Sequence, residues 1–525
     1  MGELLSYIYL LVAAAVVFLF RKWQSSTRIP YPPGPKPSLI SGNASELPTV
    51  LPWLTYAKWA KEYGDIVHVR AYNQHIVILD KLRDANALFE QRSGIYSDRP
   101  EVTMVSLMGW DFATTLSRYG DTWRRHRRIF QQAFNKKEIQ IIHHPVQILK
   151  VHELLRRLLV APENFVAHLR TYVSFLNLAP SLDSHFSTAG AIVMATVYDK
   201  NMSESNLEKF VIFSERAVNM ISESFSPSAT IVNALPILRH IPTWFPGARF
   251  HHFAAECRVY TTGMVEIPFK YVKDKLAAGI ELSSLTEWLL KQNSDLGSMA
   301  IPEADLKSAK ATAFIGAADT TVSSAETFIY AMLLNPEAQR KAQDEIDSVV
   351  GRKRLPDFSD RPNLPYVEAV YREVMRWHPV APLGLSHSTS ADDVYNGYLI
   401  PKGTMVIANI WSMTHDESRY PDPDLFKPER FFDENGDLNT DNVIIAFGFG
   451  RRICPGRHMA SSTVWLLISS ILATFTIRKA RDEHGNEIDV DGSYTSGLIS
   501  HKIPHPCSIT PRSEEVQKLI IKGQR

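Results

Sequence analysis

The stretch Phe447–Gly456, FGFGRRICPG, decides the reading of this chain. It places Cys454 in a glycine-rich loop, after the paired Arg451 and Arg452 and before an apolar, helix-like run from Arg457 to Phe475. Gly450 and Gly456 are expected to take positive φ and let the backbone approach a flat group closely. Backbone N–H groups in such a turn can point at the sulfur and stabilise its charge. The helix N-terminus that follows is expected to lower the thiol pKa. Phe447 is placed to keep water from the sulfur, which bears on redox potential. Arg452 is a fixed cation whose fork of donors suits a carboxylate. A lone cysteine is most often a buried, inert one. In this setting Cys454 reads instead as an axial thiolate for haem iron, with Arg452 on a propionate. A thiolate ligand pushes electron density onto the iron and favours O–O cleavage.

The chain has 525 residues, 45% hydrophobic and 22% charged, which is globular material with ample core. Its formal net charge of +1 gives no sign of nucleic-acid binding. The three cysteines, Cys257, Cys454 and Cys507, are far apart. That spacing implies neither a disulfide framework nor a zinc knuckle, and it fits a reducing compartment.

The N-terminus differs from the rest. Leu4–Phe20 carries no charge, and Arg21, Lys22 and Trp23 follow at once. As a helix this run spans about 26 Å, enough for one transmembrane segment. Basic residues only after the run predict a lumenal N-terminus and a cytosolic main domain, and they argue against a cleaved signal peptide. The sequons at Asn43 and Asn201 then stay unmodified. The expected organisation is an anchor over 1–23, a proline-rich linker over 24–45 containing PYPPGPKP, and one catalytic domain over 46–525.

Within that domain, Ile66–Leu79 predicts a hairpin around Asn73-Gln74. Helical patterns run from about Asp84 to Arg376. Strands return between Tyr395 and Ile410, turning at Asn396-Gly397. The stretch from Arg481 to Gly492 predicts a hairpin or loop. Val232–Gly247, VNALPILRHIPTWFPG, is apolar and broken by prolines. It is either a core segment or a surface loop dipping into a bilayer, with Trp244 and Phe245 at headgroup level.

The pattern F-x-x-G-x-R-x-C-x-G in Phe447–Gly456 matches the haem-binding signature of the cytochrome P450 family without a gap. A chance match is on the order of one in ten thousand chains. The resemblance covers nearly the whole globular part. Gly316–Thr321, GAADTT, interrupts a helical pattern over Lys307–Leu334 and resembles the family's oxygen-activating helix. It departs from the family at Ala317, where glycine is usual. Carried over, Thr320 is the hydroxyl that helps deliver protons to dioxygen, and Asp319 feeds that relay. Glu373 and Arg376 form an E-x-x-R pair, adjacent on a helix face. Glu153/Arg156 and Glu337/Arg340 also match that spacing, but only LPYVEAVYREVMRWHPVAP stands at the family's usual distance from the cysteine loop. Arg430, in FKPERF, resembles the third member of a buried structural cluster. Trp123, Arg127 and His387 match positions that contact haem propionates.

The resemblance implies a mainly α fold with small β-sheets and haem b as cofactor. It also implies monooxygenation of a lipophilic substrate with O2, with electrons from a membrane-bound NADPH-cytochrome P450 reductase. Arg124, Arg128, Lys136 and Arg451 are candidate docking charges. The substrate pocket is expected from the loop Met104–Phe112, the helix around Phe314 and Ala318, Val380–Leu385 and Gly497–Ile499. The texture resembles fungal endoplasmic-reticulum enzymes of secondary metabolism, which points to terpenoid or polyketide substrates. The competing readings are a haem-thiolate peroxygenase or isomerase working without reductase, and a non-enzymatic haem-binding protein. Members of the former class often lose the acid–alcohol pair that Asp319 and Thr320 retain.

Overall fold

The computed structural model describes residues 29–522, apart from 170–187, 200–201, 225–230, 283, 296 and 298–299. The expected anchor Leu4–Phe20 and the sequon at Asn201 lie outside the described residues. Among the described residues no helix is long and apolar enough to cross a membrane.

The elements that position the site follow in chain order, with labels for those used below. Strands β1 (Ile66–Ala71) and β2 (Gln74–Leu79) form the expected hairpin, but it turns at Tyr72-Asn73, one residue before the expected Asn73-Gln74, since Gln74 already pairs with Ala71. Its turn residue Tyr72 has φ +53°. Helices α1 (Asp121–Ala133), α2 (His144–Val160) and α3 (Arg249–Ala277) follow. Next come α4 (Glu303–Ala318), α5 (Thr320–Leu334) and α6 (Pro365–Trp377). The chain then returns to short strands β3 (His387–Ser388), β4 (Asp393–Tyr395), β5 (Tyr398–Ile400) and β6 (Met405–Ala408). Helix α7 (Arg457–Thr474) precedes β7 (Phe475–Lys479) and β8 (Cys507–Pro511).

The main sheet has the order β1-β2-β6-β3. Its centre is a parallel pairing of β2 with β6, in register Ile76↔Met405, that joins the two ends of the chain. The β4–β5 hairpin turns at Asn396 and Gly397, both with positive φ, as the two-residue turn of a twisted hairpin requires.

Most of the core is helical. Helix α7 is apolar on all sides, and Val464–Ile468 are all buried, so it runs through the interior rather than along it. Two of its threonine hydroxyls bond within the helix: Thr463 donates to the Met459 carbonyl at 2.9 Å and Thr474 to the Ser470 carbonyl at 2.7 Å. Buried Gln147 of α2 locks against it through Thr463 Oγ1 at 2.6 Å. Helices α2, α5 and α6 all pack on α7, which holds the loop before it.

The proline-rich segment is not a free spacer, at least from Ile29 onward. The Pro33 carbonyl accepts from His68 N–H at 2.8 Å, and the Pro30 carbonyl accepts from Leu399 N–H at 2.8 Å. Prolines cannot donate to a sheet but their carbonyls can cap its edge. Asn43 is buried, with its side chain bonded to Pro35, Glu46 and Arg70, so this sequon is closed to modification by the fold.

Candidate active site

The cysteine loop is shaped by its glycines. Gly448 and Gly450 have φ of +80° and +56°. A Cβ on Gly450 would collide with the Phe89 carbonyl oxygen. The Gly450 N–H donates to Glu90 Oε1 at 2.6 Å, and Cys454 N–H to the Phe447 carbonyl at 2.9 Å. Gly456 corrects the expectation: its φ is −86°, so no positive φ is needed there. Its N–H bonds the Cys454 sulfur instead, and a Cβ at Gly456 would lie 3.9 Å from Sγ. Phe447 is half-buried against the helical core.

The thiol pKa also differs from the expectation. Burial pushes the Cys454 thiol up, and the Gly456 N–H with the charges of Arg127 and Arg457 only partly opposes it. A thiolate at this place therefore needs a further positive partner, which a bound iron provides.

Arg452, Arg99 and His387 form a buried wall of hydrogen-bonding side chains beside the loop, two of them guanidinium groups. Arg452 donates to the carbonyls of Ser97 at 2.7 Å and Ser117 at 2.9 Å, and lies 4.6 Å over the Trp123 ring. Arg99 donates to the carbonyls of Thr115, Leu385 and Ser386. Burial and the charge of Arg452 drive the Arg99 pKa well down. The adjacent carboxylate, Asp98, is held by Arg118 at 2.8 Å and by the N–H groups of Arg99 and Tyr119. Two buried guanidinium groups bonded only to carbonyls are costly unless an anion joins them. The donor set fits the two carboxylates of haem.

His387 lies on β3, with Nδ1 2.6 Å from the Tyr96 carbonyl and its ring 4.1 Å from that of Phe89. Burial and the charges of Arg99 and Arg452 depress its pKa, so donation from Nε2 to a carboxylate requires that anion to restore the proton. Arg127, on α1 with Trp123, donates to the Ile453 carbonyl at 2.6 Å and faces the cysteine sulfur electrostatically. The sequence did not single out Arg99, which stands in Gly94–Pro100, GIYSDRP, a stretch with no ligand-type motif of its own.

The long helical pattern breaks at Asp319, where α4 ends and α5 begins. Thr320 Oγ1 donates to the Gly316 carbonyl at 2.8 Å and competes with the backbone bond at that turn. A Cβ on Gly316 meets nothing within 4 Å, so the helix presents a shallow open groove. Asp319 turns its carboxylate to His501 Nε2 at 3.1 Å, a residue no sequence motif marked.

Glu373 and Arg376 are fully buried and bidentate, at 2.7 and 2.8 Å. Arg430 Nε reaches Glu373 Oε1 at 3.1 Å, so the expected trio assembles. The competing pairs behave differently. Glu337–Arg340 is an exposed surface bridge, and Glu153 pairs with Lys150.

Arg124, Arg128, Lys136 and Arg451 do share one cleft, of about 730 Å³, also lined by Ile453, Pro455 and His458. In Val232–Gly247, Ile237, Trp244 and Phe245 are exposed at 74, 79 and 49% as a surface loop requires, whereas Val232 is buried and Leu238 and Ile241 pack on the core, so the stretch is core at one end and surface at the other. Met104, Met108 and Trp110 are buried together with Cys257 and Met264 of α3. Phe314, by contrast, packs into the main helical core, while Ile315 meets the Met104–Trp110 cluster.

The family model described as cytochrome P450 matches residues 32–503. Similar proteins include cytochrome P450 monooxygenase ple1 of Rhodocybe pseudopiperita, 41% identical and covering 93% of this chain and 91% of the relative. Cytochrome P450 monooxygenase claR of Ampulloclitocybe clavipes is 38% identical, covering 93% and 88%. Cytochrome P450 monooxygenase 208 of Postia placenta is 39% identical, covering 96% and 95%.

Proposed function

This chain belongs to the cytochrome P450 family and is a haem-thiolate monooxygenase, and from that premise we propose the roles of its residues, its substrate class and its partners. The observation that carries the site assignment is Cys454 in its glycine turn beside the buried wall of Arg99, Arg452 and His387. Cys454 would hold the iron of haem b through its sulfur. Arg99, Arg127, Arg452, Trp123 and His387 would hold its propionates. Haem bound this way supplies dioxygen activation and the insertion of one oxygen atom into a C–H bond. Gly456 N–H and the Arg127 charge steady the thiolate. Thr320 holds a hydroxyl over the groove at Gly316, and Asp319 brings protons to it. Glu373, Arg376 and Arg430 fix the loop's support and do not touch substrate.

The substrate is lipophilic, a terpenoid or polyketide intermediate of fungal secondary metabolism. The apolar Met104, Met108 and Trp110 of the expected pocket loop support an apolar ligand. The basic cleft around Arg128, Lys136 and Arg451 suits an acidic NADPH-dependent flavoprotein reductase. The exposed Ile237, Trp244 and Phe245 suit contact with the endoplasmic-reticulum bilayer, next to an N-terminal anchor.

The test is the carbon monoxide difference spectrum of the reduced, membrane-bound protein. A strongly red-shifted Soret band is expected, and Cys454→Ala should abolish it. A band unchanged in that variant would overturn the ligand assignment.

A further inference from the structure

His501 sits in a tightly tied segment. Tyr494 pairs with Lys502 across it. His501 and Thr495 exchange two backbone-anchored bonds of 2.9 Å. Ser500 N–H donates to the Val380 carbonyl at 2.8 Å, and the Ser500 carbonyl accepts from Ser323 Oγ of α5 at 2.6 Å. These ties press the imidazole onto the junction of α4 and α5.

There it bridges two carboxylates. Nε2 lies 3.1 Å from Asp319 Oδ1, and Nδ1 lies 3.1 Å from Glu326 Oε2. Both ring nitrogens face acceptors, so both must donate, and only the imidazolium does that. Burial by itself lowers the His501 pKa, but the hydrogen bonds and charges of Asp319 and Glu326 overcome it and raise the value to about 9. Lys502 and His505, on the same segment, share the field of Glu326. Side-chain exposure grades outward, from 2% at Glu326 through 13% at His501 to 38% at Asp319. The bridge is thus anchored in the core and opens at Asp319.

We propose that His501 is a positioning residue of the oxygenation reaction, tethering the Asp319 carboxylate to buried Glu326 and thereby gating its turn toward Thr320. Asp319, exposed enough to meet solvent, takes a proton there and loses its attraction for the imidazolium. The neutral acid leaves Nε2, turns to the Thr320 hydroxyl and passes the proton on. The re-ionised carboxylate then returns to His501. His501 keeps its own proton throughout, and no electrons move in the cycle. The proposal rests on the monooxygenase reading.

The experiment compares the full chain with His501→Ala and His501→Gln, membrane-bound and supplied with NADPH-cytochrome P450 reductase. The lipophilic probe is 7-ethoxycoumarin. NADPH consumed, hydrogen peroxide released and product formed are read from pH 6 to 10, alongside the thermal midpoint. For His501→Ala, product per NADPH should fall about tenfold, with the carbon monoxide spectrum and the probe KM retained. Glutamine should restore part of the yield but not the pH dependence.

The folded pKa is raised above 6.5, so the tether's stabilisation is complete below 6.5 and lost as pH rises through about 9. The gap in thermal midpoint between wild type and either variant should close across that window. Variants with wild-type product yield and pH profile, lowered only by a constant thermal offset, would overturn the proposal. A wild type that turns over no probe would count against the monooxygenase reading. The thermal gap would then decide the tether: closing supports it, and a constant or missing gap sinks it.

Discussion

Thr320 is the residue whose side chain most directly joins local structure to chemistry. Its hydroxyl bonds the Gly316 carbonyl, which helps break the helix and leaves the oxygen over the groove. Thr320→Ala should keep the thiolate-haem spectrum and the fold. Product per NADPH should drop by about two orders of magnitude as hydrogen peroxide release rises. Peroxide and product assays on the reductase-supported enzyme read both. Gly450 is the contrasting case, a residue needed for its shape alone. Gly450→Ala forces a Cβ into the Phe89 carbonyl at a positive φ, a cost of about 1–3 kcal/mol. Thermal unfolding and haem content after purification check this, and both should fall together. Alanine at Gly456 should disturb stability less, because its φ of −86° suits any residue.

At the scale of elements, helix α6 shows how identical spacing carries different weight. Glu373 neutralises two arginines that are themselves buried, and it also accepts Lys427 N–H at 2.8 Å. Glu373→Ala strands both guanidinium groups in the core and should cost about 3–5 kcal/mol, enough to abolish folded, haem-loaded protein. Glu337→Ala, which removes one partner of an exposed bridge with Arg340, should leave the thermal midpoint unchanged. A Glu337 variant as damaged as the Glu373 one would show that spacing, not burial, sets the effect. The E-x-x-R motif was legible in sequence, and its neighbours in the sequence picked out the right pair. Burial is what makes that pair indispensable.

At the scale of the whole molecule, two exposed surfaces flank the site. The basic cleft near Cys454 carries Arg124, Arg128, Lys136 and Arg451. Reversing two of these, as in Arg128→Glu with Lys136→Glu, should raise the KM for reductase and flatten its salt dependence. The carbon monoxide spectrum should stay unchanged. Steady-state turnover at several ionic strengths measures both effects. The other surface carries Trp244, 79% exposed. With the full chain in nanodiscs of brominated lipid, wild-type tryptophan fluorescence should be quenched more than that of Trp244→Phe. Equal quenching would place this loop away from the bilayer.

Contiguous residues were enough to read the cysteine loop, the buried helix Arg457–Thr474, both hairpins and the helix break at Asp319. Each is encoded by neighbours along the chain: a glycine that needs positive φ, an all-round apolar run, Asn-Gly at a turn, small residues mid-helix. The φ of Gly456 and the raised Cys454 pKa were misread because both depend on what packs around the loop. Only the tertiary structure decided the parallel pairing of Ile76 with Met405, the wall of Arg99, Arg452 and His387, and the seat of His501 between Asp319 and Glu326. These partners are brought together by chain closure over long separations. A local pattern names a residue's propensity and charge, but not which distant group will share its burial.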